Sequence, residues 1–485
     1  MAALYNTSVA IDAFRGINQV GDGFNVAMRY AAEMENVNVE GGTFRQMREG
    51  KLIPQELDTP IGTLAYLHRR FGEETGTLLV AISDGFVYTK ELDNDDDEWI
   101  LRYPLSGDDP LSDSDNDWVT YEVNTRGGQA LDNPVDVLLF SNATDGMFCL
   151  YGDNYEVVHV TTPKKFGVIA RYNERIWGSG IVDEPDMLVY SAPYDPFDWE
   201  ADTEIPEDGA GDILIPTWDG DSFQALKQYG STLLAVKRNS VWRVYGTNPG
   251  EFSIQQQYGG GTIEENTLAV YSEYAYMLGE HGLMQYDGSG VFPFRQDWIK
   301  NLLNDKVNHD ALSLCCAAMR NSTYCIAMPI NGSPFCNAIL EYNTLEQSFS
   351  LRTEISVDSF LQIDERLFYT SALYPGRVFE MRDDIGKPLF CEWVSNYQDL
   401  GQKNSVKSAF LVYMMVDSEA PVELRVGIRT EKKLKTKIVK TKPGKMTRIQ
   451  LNLTGRIFRL EIRSYSAVPF AIAGGVKIDL ELDPD

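Results

Sequence analysis

The chain has 485 residues, 43% hydrophobic and 11% aromatic, enough to bury at least one sizeable core and too apolar for long disordered stretches. Its 71 acidic and 43 basic residues leave a net charge of −28, which excludes a general binder of nucleic acid, because most of the surface repels phosphate. No run of about 18 apolar residues predicts a membrane span, and the opening MAALYNTSVAIDAFRG lacks a basic region followed by an apolar block, so no secretory leader is read and folding in a cytoplasm is expected.

Residues 1–54 show no sustained periodicity and are read as an irregular segment, a candidate for closing a ring or reaching a neighbour. From residue 55 to 386 one phrase recurs: an apolar run, a turn with Gly, Asn or Asp, and a second short run ending near an aromatic residue. It starts at Thr77 (TLLVAISDGFVYTKE), Val137 (VLLFSNATDGMFCLYG), Arg175 (RIWGSGIVDEPDMLVYSAP), Thr232 (TLLAVKRNSVWRVYGT), Tyr274 (YAYMLGEHGLMQYDGSG), Thr323 (TYCIAMPINGSPFCNAILEYNT) and Arg366 (RLFYTSALYPGRVFEM). Strand-length runs joined by turn residues that tolerate positive φ predict hairpins. Their starts lie 38 to 60 residues apart, close to one four-stranded propeller blade. The prediction is an all-β protein with a β-propeller of about six or seven blades over 55–386; a pair of β-sandwiches is the alternative that evenly spaced hairpins also permit. Helical periodicity is confined to a short stretch from Asp297 to Leu303.

An acidic insertion spans 91–117, where eleven carboxylates face a single Arg102. Asp93, Asp95 and Asp97, with Asp96 among them, and Asp113, Asp115 and Asp117 repeat the spacing that calcium loops use to converge several oxygens on one cation. Neither run supplies the glycine and glutamate of an EF-hand, so both are read as a solvated acidic loop, with calcium as the alternative reading.

Beyond residue 387 the strands lengthen and alternate strictly (SAFLVYMMV, VELRVGIRT, TRIQLNL, RIFRLEIRS), as half-buried antiparallel strands do, and a C-terminal antiparallel β-sandwich over 387–485 is predicted. Its charge is inverted. Thirteen basic residues between Arg425 and Arg463 oppose only Glu431 and Glu461, a local +11 that leaves −39 for the rest of the chain. Lys432, Lys433, Lys435, Lys437, Lys440, Lys442, Lys445 and Arg448 form a candidate docking surface for an acidic partner. The other readings are lysines that discourage edge-to-edge aggregation and, more remotely, a contact with DNA phosphates. A basic end meeting the acidic body of the next copy would close into a ring if the rotation allows.

No catalytic, cofactor or metal site is legible. The cysteines (Cys149, Cys315, Cys316, Cys325, Cys336, Cys391) lack zinc spacing and read as buried free thiols. His68, His159, His281 and His309 fall in no catalytic motif, and the Gly259–Gly261 run precedes no helix. A carbohydrate-binding or glycoside-hydrolysing propeller is the competing function. It would use exposed aromatics such as Trp99, Trp118, Trp218 and Trp242 beside paired carboxylates, but SDSDNDW from Ser112 lacks the glycine and spacing of a sialidase Asp box.

Several phrases resemble the tail-nozzle, or packaged-DNA stabilisation, proteins of short-tailed bacteriophages. They are GDILIPTWDGDSFQALKQYGSTLLAVKRNSVWRVYG from Gly211, MLGEHGLMQYDGSGVFPF followed by WIKNLL, and GRIFRLEIRSYSAVPFAIAGGVKIDLEL from Gly455. MENVNVEGGTFRQMREG from Met34 and YSAPYDPFDW from Tyr190 are similar to phage propeller proteins as well. The resemblance implies a non-enzymatic virion protein of the neck or tail, assembled in the host cytoplasm as a ring, hexameric in the family, below portal and adaptor proteins. Such a ring extends the DNA channel, retains the packaged genome and lets it pass without sequence-specific binding or a cofactor.

Overall fold

In the computed structural model, which describes residues 5–21, 26–70, 75–105, 109–112, 118–125, 135–202, 204–205, 207–217 and 220–483, each of the seven hairpins forms the middle pair of a four-stranded antiparallel unit. The units occupy 63–103, 119–160, 168–214, 223–257, 269–293 and 316–357 in chain order, and the last combines 360–380 with Lys51–Leu52. The first strands of successive units touch one another, and Phe360–Ile363 of the last touches Thr63–Arg69 of the first, so the series closes on itself as a β-propeller.

Packing between units explains why the middle strands read as unbroken apolar runs. Leu138 and Phe140 face the first unit, against Leu67 and Val80, whereas Val137 and Leu139 face the third, against Ile169 and Ile176. Both faces of each inner strand are covered, so the alternation of a half-buried strand disappears. The same arrangement recurs at every junction, down to Leu361 and Phe368 of the last unit packing on Leu79 and Ala81 of the first.

The N-terminal segment, read from the sequence as irregular, carries six short strands. Lys51–Leu52 pairs with Val378–Glu380 and completes the last unit. Tyr5–Ile11 pairs along Phe470–Asp483, and Arg15–Ile17 and Tyr30–Glu35 join the sixth unit to the C-terminal strands in one ten-stranded sheet. That sheet ends in Glu423–Thr430 and the edge strand Leu434–Lys440. A second sheet, built on Val406–Ser418 between Met446–Gly455 and Phe470–Asp483, shares its core: Phe410, Val412 and Ile478 meet Val426, Ile428 and Leu460. Met446–Gly455 alternates exposed and buried residues along its whole length, the pattern that its sequence predicts.

Two details depart from the sequence reading. The stretch 91–117 contains the outer strand of the first unit, Ile100–Tyr103, so only part of it is inserted. Around Asp297 the chain makes a 3-10 turn, Gln296–Ile299, and then a π-helical turn, Leu302–Lys306, packed on the core through Ile299, Leu302 and Leu303.

Candidate functional site: two charged surfaces

All eight basic residues of the candidate docking surface, Lys432, Lys433, Lys435, Lys437, Lys440, Lys442, Lys445 and Arg448, are exposed. They follow the free edge Leu434–Lys440, the turns at its two ends and the adjoining edge strand Met446–Gly455. Among the described residues none of the eight forms an ion pair. Lys435 and Lys437 stand opposite the buried Ile428 and Val426 of the neighbouring strand and therefore project on the core side of the sheet. They stand at the open edge of the sheet, where Lys435 Nζ reaches across to the second sheet and donates to the Asn452 carbonyl 3.0 Å away. Lys433 is not on the same strand face: it sits in the turn, where its carbonyl accepts from the Thr430 amide.

Three of the five remaining basic residues of this region are used differently, while Arg425 and Arg456 are exposed. Arg429, Arg459 and Arg463 converge on Glu461, which is 1% exposed, with contacts of 2.7, 3.4 and 3.2 Å. Arg459 also reaches Glu33 and lies over the Tyr397 ring. Three arginines around one buried carboxylate are a structural set, so the charge open to a partner is that of the lysine edge.

The acidic loop has no converging oxygens in its described part. Asp93 pairs with Arg366 at 2.9 Å, Asp95 with Lys51 at 3.1 Å, and Asp97 accepts the Glu91 amide at 2.8 Å; Asp96 is exposed. Arg366 and Lys51 belong to the last unit and Asp93 and Asp95 to the first, between its two outer strands, so these pairs clasp the seam where the propeller closes. Asp113, Asp115 and Asp117 lie outside the described residues, as does Trp218.

A second acidic surface was missed in the sequence. In the third unit the loop 198–210 carries exposed Glu200, Glu204, Glu207 and Asp208 and leads into the edge strand Gly211–Leu214, where Asp212 and Leu214 are exposed too. The buried Arg175 guanidinium shapes this loop by donating to the carbonyls of Ser191 and Gly209 at 2.7 Å and to that of Glu207. The signal available was the density of carboxylates after Trp199, which has no spaced motif to draw attention.

Elsewhere, titratable groups are tied up in the fold. Arg320, Glu341, Arg352 and Asp383 form a closed ion-pair square with Arg352 contacts of 2.8 and 2.7 Å, and Asn38 donates to Asp383 at 3.1 Å. Burial alone would raise the Asp383 carboxyl, but Arg352 and Arg320 outweigh it and hold it at about 2. All six cysteines are free and buried, and burial pushes Cys325 and Cys391 up to about 12. The four histidines lie apart. His68 is near Asp364, His159 against Phe148, His309 on the Leu303 carbonyl, and His281 in an exposed turn. The Gly259–Gly261 run is a tight crossing between units: a Cβ on Gly261 would fall 1.7 Å from the Lys237 carbonyl oxygen. Trp118 is buried, and Trp99 and Trp242 are half-buried with their indole N–H groups on Gln55 O and Ser240 Oγ. These three form no exposed aromatic platform. A cleft of about 490 Å³ beside the last unit, bounded by Leu52, Tyr374, Arg377 and Lys387, holds a single carboxylate, Glu49. No helix among the described residues is long and apolar enough to cross a membrane.

No protein-family model matches the chain, and no curated protein matches it in sequence. Among solved structures it is similar to the WD40 domain of Neurospora crassa Pan2, at 10% identity over 68% of this chain and 91% of that one, with a TM-score of 0.39. It is also similar to BBS1N, solved in complex with ARL6DN and soaked with lead, at 10% identity over 66% and 93% of the two chains, with a TM-score of 0.38.

Proposed function

We propose that the protein is a structural ring component of a bacteriophage neck or tail, a nozzle that continues the DNA channel below portal and adaptor proteins. In this reading the propeller is a wheel of seven blades, the seventh completed by Lys51–Leu52. The C-terminal strands and residues 5–46 make a β-sandwich sewn to the sixth blade. One observation carries the reading: eight exposed cations that form no ion pair among the described residues lie on one end of a chain whose net charge is −28. A surface that carries so much uncommitted charge suits a partner of the opposite sign, and the body of another copy offers it. The remaining acidic surface gives phosphate few places to bind, which suits a passage through which DNA must slide. Every blade packs on two neighbours, so the building block is stiff, as a mechanical role requires.

Negative-stain images of the purified protein test this reading. Annular assemblies and weak, salt-sensitive binding to duplex DNA are expected. A monomer at all concentrations, failing to join portal or adaptor proteins, overturns the proposal.

A further inference from the structure

We infer that the lysine edge of one copy docks on the acidic edge of the third unit of the next copy, head to tail. The inference rests on the ring reading above and names the two faces that make the ring. Both are free sheet edges, Leu434–Lys440 at the end of the ten-stranded sheet and Gly211–Leu214 at the end of the third unit. On the first edge Ile438, 53% accessible, shares the outer face with Lys440, while Lys435 and Lys437 project on the other face. On the second Leu214, 61% accessible, shares a strand face with Asp212, and Glu204, Glu207 and Asp208 lie in the loop before it.

None of these four carboxylates forms an ion pair among the described residues, although Asp208 is close enough to the buried Arg175 to act on it electrostatically. Opposite charges bordering apolar centres are the arrangement of a docking interface, in which apolar contact supplies affinity and charge supplies orientation. The acidic loop is built and not merely solvated, because Arg175, 2% exposed, holds three of its carbonyls or those beside it.

Position decides the geometry. The lysine edge is attached through the sixth unit, and two units separate the sixth from the third in one direction round the wheel and three in the other. The two edges are separate surfaces of one copy, since the lysine edge ends a sheet that runs six strands beyond the sixth unit. In a head-to-tail contact each copy passes one free face on, and the series closes as a ring or continues as a filament; a two-fold dimer making both contacts at once is the competing arrangement that sedimentation distinguishes. Direct strand addition is disfavoured, since Lys435 and Lys437 project on the core side of the edge, so the contact is made by side chains.

Charge reversal tests it. Variant one carries Lys435→Glu, Lys437→Glu and Lys440→Glu; variant two carries Glu204→Lys, Glu207→Lys and Asp208→Lys. Association is followed by sedimentation velocity between low and high salt, and folding by thermal melting. Each variant alone should associate at least about tenfold more weakly than the wild type, because its two faces then have the same sign. Mixing the two should restore assembly, since every contact again joins opposite charges. Wild-type rings with variants that assemble equally well would overturn the assigned faces and leave the ring reading standing. A wild type that never assembles would remove both. Loss of duplex DNA binding in variant one, with assembly unchanged, would reassign the lysine edge to nucleic acid and overturn the inference.

Discussion

The cations of the sixth unit and those of the Leu434–Lys440 edge differ in what surrounds them. Arg320 and Arg352 lie inside the square with Glu341 and Asp383, and Arg352 also donates to the Arg48 carbonyl at 2.6 Å. Its partners come from its own unit, the stretch after the last unit and the N-terminal segment, so one guanidinium joins three separate parts of the chain. The edge lysines are exposed and form no ion pair among the described residues. A buried charge costs several kcal/mol unless it is fully paired, whereas an exposed one costs nothing while it waits for a partner. The same residue class therefore acts as a rivet in one region and as an open contact in the other.

The comparison breaks first at Arg352. Arg352→Met leaves Glu341 and Asp383 without their main partner and is expected to cost about 3–5 kcal/mol, read by urea unfolding. Asn36, fully buried, comes next. Its side chain donates to the Phe390 carbonyl at 2.8 Å and to Thr353 Oγ1 at 3.0 Å, and accepts from the Thr353 amide at 2.7 Å. Asn36→Ala should cost about 2 kcal/mol by the same measurement, because buried donors and acceptors on two elements lose their partner.

Acid sharpens the contrast. Asp383 is held at about 2 in the folded protein against an ordinary 3.8, so its contribution is complete above pH 3.8 and disappears as pH falls towards 2. About 1–2 kcal/mol should be lost in that window, and the loss should shrink in Arg352→Met, which the pH dependence of unfolding will read. The smallest effect belongs to the edge: Lys435→Ala, Lys437→Ala and Lys440→Ala together should leave the melting transition within about 0.5 kcal/mol of wild type while weakening association.

The acidic stretch shows how a sequence pattern misleads when partners are distant. The spacing of Asp93, Asp95 and Asp97 suggests oxygens that converge, yet each side chain finds its own partner, and two of those partners, Arg366 and Lys51, are far away in the sequence. The Arg175-shaped loop, which has no spacing to notice, presents a denser open acidic face than the described part of the stretch that has.

The chain by itself determined the hairpins, because both their signals are local: apolar runs of strand length and turns at residues such as Gly85 and Gly146, which take positive φ. It also determined the alternating C-terminal strands and the segregation of charge. Only the tertiary structure decided that Lys51–Leu52 completes a unit more than 300 residues away, and that 5–46 joins the C-terminal sheets. The two- and three-residue strands carry too little periodicity to announce themselves, and for these as for the longer Tyr5–Ile11 and Tyr30–Glu35 the pairing partner is a distant edge that the local sequence does not describe.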